Sequence, residues 1–350
     1  MASEIWNRFG SVDNYVEPFA GSMAVLLARP NFDPQHPPCE TSNDLDGMIV
    51  NFWRAVRADP DELARQCDWP VTEVDLTSRH KFLVKKGEKQ AFLRSLRDDP
   101  KYYDLERAAY WVYGKSCWIG SGFCDGEWDP ESEEDFTKRR PALGSKCKNG
   151  IHKKSARGQI GSKIPIMGSG GRGVHKTSIP SDIKMPCMQR GGSGIHAFTP
   201  ASRKVAGAPP CLEWFRTLQV RLRRVRLPCG DWRRVLTPAV TTGNGLTGVF
   251  FDPPYSSESD RTCNVYSNED MEVAHAVRGW CLEHGEDRMF RLALCGYEGE
   301  HDELLEHGWS VFAWKAHGGY GLQAKGKGRE NRMRERVWFS PCCQRGVDLF

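Results

Sequence analysis

The N-terminal sequence alternates between short runs typical of strands and amphipathic segments typical of helices. The segments "DNYVEPF" (residues 13–19) and "CETSND" (39–44) predict two strands. Between them, "GSMAVLLAR" (21–29) predicts a helix that opens at a glycine, is capped by Ser22 and ends at Pro30. The pattern therefore indicates βα units at the start of the chain.

Helical periodicity dominates the next part of the sequence. Residues 45–60 carry apolar side chains at the 3.6-residue spacing of an amphipathic helix. From about residue 60 to residue 125, the segments "DELARQC", "EKQAFLRSLR" and "YDLERAAYWVYGKSCWIG" predict further helices. We expect the broad apolar face of the last segment, which includes Trp111, to pack in a core.

Residues 138–204 interrupt this periodicity. They contain eleven glycines, fifteen Lys or Arg and a single acidic residue, Asp182. This composition predicts a mobile loop or an extended arm that contacts the substrate.

Strand and helix patterns return after residue 210. The predicted elements are a helix at "CLEWFRTLQVRLRRV", strands at "VRLPCGDW", "TGVFFDPPY" and "MFRLALCGY", helices at "NEDMEVAHAVRGWCLEHG" and "EHDELLEHG", and an antiparallel pair at "WSVFAWKAH" and "RERVWFS". The simplest organisation is one α/β domain made from both chain ends, residues 1–59 and 223–350, with an insert at 60–222.

The formal net charge of +4 conceals a strong segregation of charge. Residues 138–204 carry a net charge of +14 and the rest of the chain −10, with seven carboxylates between Asp125 and Asp135. Such segregation favours a polyanionic partner for the basic segment. A solvated basic loop without a partner is the alternative.

Composition excludes several classes of protein. With 39% apolar and 11% aromatic residues, the chain of 350 residues is typical of a globular protein. No apolar window is long enough for a transmembrane span, and no signal peptide follows Met1. The thirteen cysteines include no CxxC, so we expect reduced thiols, no metal site and a cytoplasmic protein.

Three predicted strand ends carry residues suited to binding and chemistry. Gly21 lies where a strand gives way to a helix, so that the backbone can approach a ligand. Asp44 ends the second strand and could accept hydrogen bonds from a ribose diol. Asp252 and Tyr255 follow a third strand within "DPPY". Because ligands bind at the carboxyl ends of strands in open α/β sheets, these residues predict one shared site.

The motifs "YVEPFAGSMAVLL", "SNDLDGMIVNFW", "CGDW" and "VFFDPPY", in this order, resemble those of Dam-type DNA adenine-N6 methyltransferases, which use S-adenosylmethionine (SAM). The ending "RERVWFSP" and "ALCGYEGEH" resemble phage and prophage members. The resemblance covers nearly all of residues 12–60 and 210–341. It implies a Rossmann-like class I methyltransferase sheet with an inserted target-recognition region.

The resemblance also implies roles for individual residues. Phe19, Ala20 and Gly21 would line the methionine side of SAM, Asp44 would bind its ribose, and Asp231 would approach its adenine amino group. The residues expected around the cofactor are Glu17, Pro18, Phe19, Ala20, Gly21, Ser22, Asp44, Leu45, Asp231, Trp232 and Asp252. The catalytic residues expected are Asp252, Pro253, Pro254 and Tyr255.

The "DPPY" motif suggests how the amino group of adenine would be activated. The Asp252 side chain and the Pro253 carbonyl would accept hydrogen bonds from that amino group and aim its lone pair at the methyl group. Tyr255 would stack on a base extruded from the duplex.

Basic side chains are the expected contacts to double-stranded DNA, because phosphate contacts supply affinity that does not depend on sequence. The candidates are Lys153, Lys154, Arg157, Arg172, His175, Lys176, Arg190, Lys325, Lys327 and Arg329. We expect a monomer or a weak dimer.

Two other functions are compatible with the motifs. Cytosine-N4 methylation needs the same pair of acceptors, and "DPPY" favours adenine only by analogy with the family. A DNA-binding protein with a degenerate SAM site is the alternative from another class. It is suggested because "MASEIWNRFG" does not contain the W/F-x-GGK segment that precedes the first strand in family members, and because Met23 replaces a second glycine.

Overall fold

The computed structural model describes residues 1–118, 123–124, 211–254, 272–313 and 334–344. These residues form two compact units. The first contains Met1–Asp46 and the described residues from Arg224 onward, and the second contains those between Gly47 and Arg223. The units divide between residues 46 and 47, whereas the sequence-based regions divide between 59 and 60. The roles given to those regions remain predictions.

The first unit is built on a six-stranded sheet. The strands, in their order across the sheet, are β2 (Cys39–Ser42), β1 (Asn14–Glu17), β3 (Thr247–Phe251), β4 (Phe290–Tyr297), β6 (Glu335–Phe339) and β5 (Ser310–Ala313). The pairs β1–β2, β1–β3 and β3–β4 are parallel, and β6 runs antiparallel between β4 and β5. This mostly parallel sheet confirms the α/β class and is compatible with a Rossmann-like methyltransferase.

Burial along the strands explains their sequences. Every residue of β1 and β3 is buried, as expected for strands in a sheet that is covered on both faces. By contrast, β5 is an edge strand and is largely exposed. Its pairing with β6 confirms the antiparallel pair predicted at the C-terminal end.

Helix α1 (Ala2–Phe9) lies against one face of the sheet. The ring of Trp6 is 4.9 Å from that of Tyr15 on β1. On β3, a Cβ atom added to Gly248 would lie 2.9 Å from the Phe9 ring, so a side chain there would meet the helix. The opposite face packs against helix α9 (Val273–His284), where Cys281 is buried in the same cluster as β3 and β4 side chains.

Helix α2 is shorter than the sequence predicts. It spans only Ala24–Leu27, and Ser22 does not cap it. Its N-cap is Met23, which has a left-handed backbone (φ 51°) and makes no capping hydrogen bond through its side chain. Gly21 also has a positive φ of 45°. The prediction that the helix begins at residue 21 was wrong, because residues 21–23 form a turn with left-handed backbone at Gly21 and Met23.

The segment "VRLPCGDW" does not form the predicted strand. It lies parallel to the edge of β2 but makes only two isolated bridges, Thr41 to Arg226 and Asp44 to Cys229. Its proline has no N–H to donate, and the backbone at Gly230 has a φ of 154°. The ladder is therefore interrupted between the two bridges.

The predicted helix "EHDELLEHG" is a 3₁₀ helix over Asp302–His307 rather than an α-helix. Two further 3₁₀ turns follow "CGD" and precede β3, at Trp232–Val235 and Thr242–Asn244.

The second unit is helical. Its helices are α3 (Gly47–Ala58), α4 (Pro60–Cys67), α5 (Glu73–Leu83), α6 (Glu88–Asp98), α7 (Leu105–Cys117) and α8 (Leu212–Leu222). Helix α7 packs against α3, α4 and α5, and Trp111 is buried as expected. Asn51 connects α3 to the start of α7, because its amide donates to the Asp104 carbonyl at 2.8 Å and accepts from the Asp104 N–H at 2.7 Å.

The described cysteines, including Cys342 and Cys343, form no disulfide with one another. Within the described part of the chain, no helix has the length and apolar character needed to cross a membrane.

Candidate active site at the carboxyl edge of the sheet

The order of the strands makes the carboxyl end of β1 a topological switch point. The chain passes from β1 to β2 on one side, while β3 and β4 lie on the other side. Ligands of open α/β sheets bind outside the carboxyl ends of strands at such a switch point. The segments that follow β1, β2 and β3 carry Gly21, Asp44 and Asp252, so the fold brings all three predicted strand ends to one edge.

Asp44 joins the loops that follow β1 and β2. Its Oδ2 atom accepts a hydrogen bond from the Gly21 N–H at 2.9 Å, and its Oδ1 atom accepts one from the Asp46 N–H at 2.8 Å. The two oxygens of a carboxylate can together accept about four hydrogen bonds, so Asp44 retains acceptor capacity beside its backbone partners Gly21, Asp46 and Leu45. The two N–H groups fix the orientation of the carboxylate before any ligand arrives.

The environment of Asp44 raises its pKa to about 6. Burial is the main cause, the negative charge of Asp46 adds to it, and hydrogen bonds from the backbone of Gly21, Asp46 and Leu45 oppose it. The side chain is still partly accessible. Asp44 is therefore ionised at pH 7 and becomes protonated in mildly acidic solution.

The backbone at Gly21 is open to solvent on the side where a side chain would project. A Cβ atom added there would have no atom within 4 Å. The neighbouring Met23 is fully buried, so its side chain packs inside the unit and not in this opening. A ligand can approach the backbone at Gly21 closely.

Asn43 supports this edge and was not among the predicted site residues. Its Nδ2 atom donates to the carbonyls of Pro18 at 3.0 Å and Gly230 at 2.9 Å. Its N–H donates to the Glu17 carbonyl at 2.8 Å, and its own carbonyl accepts from the Ala20 N–H at 2.7 Å. Asn43 thereby connects the loops after β1 and β2 with the "CGDW" segment. An amide residue near the end of a predicted strand, next to Asp44, was the available signal in the sequence.

The "CGDW" segment adds a polar and an aromatic group near the same loops. Asp231 has a side chain that is 51% exposed, and it caps the 3₁₀ turn by accepting from the Arg233 N–H at 2.9 Å. The Trp232 ring lies 6.2 Å from that of Phe19 and 6.4 Å from that of Phe251. Leu45, next to Asp44, is 42% exposed.

The remaining predicted cofactor residues lie along the loop after β1. Glu17, Pro18 and Ala20 are buried, whereas Phe19 and Ser22 are partly exposed. The structure brings these residues, Asp231 and Trp232 to the same edge as Gly21 and Asp44.

Asp252 directly follows the last residue of β3. It is partly exposed, Pro253 is buried and Pro254 is partly exposed. Tyr255 lies outside the described residues, as do all the predicted DNA contacts: Lys153, Lys154, Arg157, Arg172, His175, Lys176, Arg190, Lys325, Lys327 and Arg329.

The N-terminal third of the chain matches a known family. Residues 1–121 match the model of the D12 class N6 adenine-specific DNA methyltransferases. This match indicates an adenine-specific DNA methyltransferase. The matched residues include β1, β2 and the Gly21–Asp44 hydrogen bond, whereas Asp252 lies beyond them. No curated protein gives a match to the chain.

Glu335, at the start of β6, is a titratable residue whose pKa is affected by Asp252 and which sequence reasoning missed. Its pKa is raised to about 7, mainly by burial and further by the negative charge of Asp252. The sequence does not show that Glu335 lies near Asp252, because β6 comes next to β4 only in the folded chain. Among the described residues, no group of three or more His, Cys, Asp or Glu could hold a metal ion.

Proposed function

We propose that this protein transfers the methyl group of SAM to the N6 amino group of adenine in double-stranded DNA. The observation that carries the proposal is the Gly21–Asp44 hydrogen bond at the switch point of the sheet, inside the region that matches the D12 class. Asp252 at the end of the adjacent strand supplies a carboxylate for the target amino group.

The residues at this edge fit a nucleoside cofactor. Asp44 offers a fixed carboxylate with spare acceptor capacity for a ribose diol, and the space above Gly21 is open. Exposed Leu45 offers an apolar surface, and Asp231 offers an exposed carboxylate to an adenine amino group. Phe19 and Ala20 would line the methionine part.

The cofactor would supply an electrophilic methyl group bound to a positively charged sulfur. The protein would make the target nitrogen a better nucleophile, because the lone pair of an exocyclic amino group is delocalised into the base. Hydrogen bonds from that amino group to Asp252 and to the Pro253 carbonyl would favour a more tetrahedral nitrogen. Alignment and preorganised acceptors then account for most of the rate enhancement.

The target base has to leave the duplex to reach Asp252. Extrusion costs on the order of a few kcal/mol, and stacking on Tyr255 would offset part of this cost. Contacts between the basic segment 138–204 and phosphates would supply further affinity, which weakens with added salt. A cytoplasmic location and a monomer or weak dimer are parts of the same proposal.

The test is a transfer assay with labelled SAM and duplex DNA, followed by identification of the methylated nucleoside. We expect N6-methyladenine, and N4-methylcytosine would contradict the choice of base. Calorimetry of SAM binding should show that Asp44→Ala abolishes binding. The matched control is Asp46→Ala, which removes a neighbouring carboxylate but keeps the N–H that contacts Asp44. No SAM binding by the wild-type protein, with or without DNA, would favour a DNA-binding protein with a degenerate site.

A further inference from the structure

The strand register places Glu335 and Asp252 on the same face of the sheet. Cys295 on β4 comes directly after the residue paired with Phe251, so it lies beside Asp252. Cys295 is also paired with Val337 on β6. Glu335 precedes Val337 by two residues, and residues two apart on a strand point to the same face. Asp252 and Glu335 therefore flank Cys295 at the carboxyl edge.

This face carries several acidic groups around a buried thiol. Cys295 is buried, and burial together with the negative charges of Asp252, Glu335 and Glu17 raises the pKa of its thiol. Among the described residues, the charged groups that interact with Cys295 are Glu17 of β1, Asp252 after β3, Glu335 of β6 and the α-amino group of Met1 before α1.

Two arginines lie next to Glu335 in the sequence, Arg336 on β6 and Arg334 directly before β6, and both interact with other groups. Arg336 pairs with Glu298 at 2.6 Å, and Arg334 lies over the Tyr297 ring at 5.5 Å. Within the described ranges, no lysine or arginine forms an ion pair with Glu335. Among the described residues, the charge that raises the pKa of Glu335 is the carboxylate of Asp252.

We propose that Glu335 is a positioning residue that acts through Asp252, and that its negative charge favours transfer to the Asp252 carboxylate of the proton released when the amino group of adenine is methylated. This inference rests on the proposed function. It assigns Asp252 a second task besides accepting a hydrogen bond from the target nitrogen.

The proton balance of the reaction requires such an acceptor. The N6–carbon bond forms while the carbon–sulfur bond breaks, and the sulfonium sulfur becomes a neutral thioether. The nitrogen, which had two N–H bonds, keeps one of them and gives its other proton to the Asp252 carboxylate. An ionised Glu335 would raise the proton affinity of Asp252, because a second negative charge nearby favours the protonated form of a carboxyl group.

Glu335 has a pKa suited to this task. Because its pKa is about 7, it changes charge in the pH range in which the enzyme would work. Below pH 7 Glu335 is protonated and neutral, so Asp252 has no negative charge from Glu335 nearby. Above pH 7 Glu335 is ionised and adds a negative charge near Asp252. The single-turnover rate of methyl transfer should therefore rise with pH through about 7, on the order of tenfold.

The first test measures single-turnover rates from about pH 5.5 to about pH 9 in wild type and Glu335→Gln. Glutamine resembles the protonated glutamate at every pH, so the variant should stay at the low-pH rate and lose the inflection. The matched control is Glu298→Gln, an exposed carboxylate that interacts with the same strand, and it should keep the wild-type profile. An inflection near pH 7 that persists in Glu335→Gln would overturn the proposal.

The second test does not depend on activity. Carbon-13 NMR of labelled glutamate should show Glu335 titrating near pH 7 in the wild-type protein, and at lower pH in Asp252→Asn. Titration at the ordinary value of a glutamate, or no response to Asp252→Asn, would overturn the coupling even if the Gln variant failed to fold.

The two tests also separate this inference from the proposed function. Wild type that forms N6-methyladenine without an inflection near pH 7 would reject the role of Glu335 and leave the proposed function intact. Wild type that forms no methylated base would reject the proposed function and the role of Glu335 with it.

Discussion

Asp44 and Gly21 together define the candidate cofactor site at the residue scale. Neither is informative alone in the sequence, because glycines and acids after strands are common. Their hydrogen bond at 2.9 Å changes this, since it fixes the carboxylate toward a glycine whose backbone is open to a ligand. The acceptor needed for a ribose diol exists before the ligand binds.

SAM affinity should depend on pH through Asp44. The pKa of Asp44 is about 6, and protonation of this carboxylate removes acceptor capacity that the ribose hydroxyls would need. SAM binding should therefore be strong above pH 6 and weaken below it, by up to about tenfold for each pH unit. Calorimetric dissociation constants at about pH 5 and about pH 8 would measure this. A constant that does not change over this range would contradict the role of Asp44.

Asp252 should be essential for transfer but not for folding. Asp252→Ala removes an acceptor that is aimed at the target nitrogen, and we expect kcat to fall on the order of 10²–10³-fold or more. The thermal midpoint and the affinity for DNA should change little, because the side chain is partly exposed. Rapid-quench transfer assays would measure the loss, with Asp302→Ala, an exposed acid after β4, as the control. Wild-type turnover in Asp252→Ala would remove this residue from the mechanism.

At the scale of elements, the close approach of α1 to β3 depends on the absence of a side chain at Gly248. Gly248→Ala would place a Cβ atom 2.9 Å from the buried Phe9 ring, so the helix or the strand has to move. We expect a loss of about 1–3 kcal/mol in the free energy of unfolding. Urea denaturation monitored by tryptophan fluorescence would measure it.

Gly279→Ala is the matched control for this substitution. Gly279 lies inside α9, and a Cβ atom there would meet no atom within 4 Å. Alanine should stabilise the helix by about 0.5–1 kcal/mol, because glycine loses more backbone entropy on folding. If both variants were destabilised equally, contact with Phe9 would not be the cause.

Helix α5 shows why one element escaped prediction. Its buried residues are Leu76, Arg79, His80 and Leu83, so half of its inner face is polar. Arg79 lies 3.8 Å from the centre of the Tyr113 ring, and this stacking allows its burial. A search for apolar periodicity cannot find a helix whose core contacts are made by cations and rings.

At the scale of the whole molecule, segregated charge is the main functional signal. The basic segment 138–204 carries a net charge of +14 within a chain of net charge +4. Contacts between this segment and phosphates would add salt-dependent affinity for DNA to a chain whose other residues carry a net charge of −10.

Removal of residues 145–200 should weaken DNA binding without affecting SAM. The plot of log affinity against log salt concentration should become shallower by about 0.9 for each phosphate that the protein no longer neutralises, as measured by fluorescence anisotropy. A variant of full length with the lysines and arginines of this segment changed to glutamine separates charge from chain length. An unchanged slope in both variants would show that the segment does not contact phosphate.

The sequence alone determined the elements whose patterns are local. Buried runs predicted β1 and β3, a 3.6-residue spacing predicted α3, and the motif order predicted a methyltransferase. These patterns can be recognised locally because burial on both faces of a strand, or along one stripe of a helix, restricts the residue types of that segment independently of the rest of the chain.

Only the tertiary structure decided which distant segments meet. It inserted β6 between β4 and β5, made Asn43 the connection between three loops, and placed Glu335 and Asp252 on either side of Cys295. No local pattern contains this information, because strand order and register depend on pairings between residues far apart in the chain. The residues of the candidate site at the sheet edge therefore come from separate motifs, and only the fold brings them together.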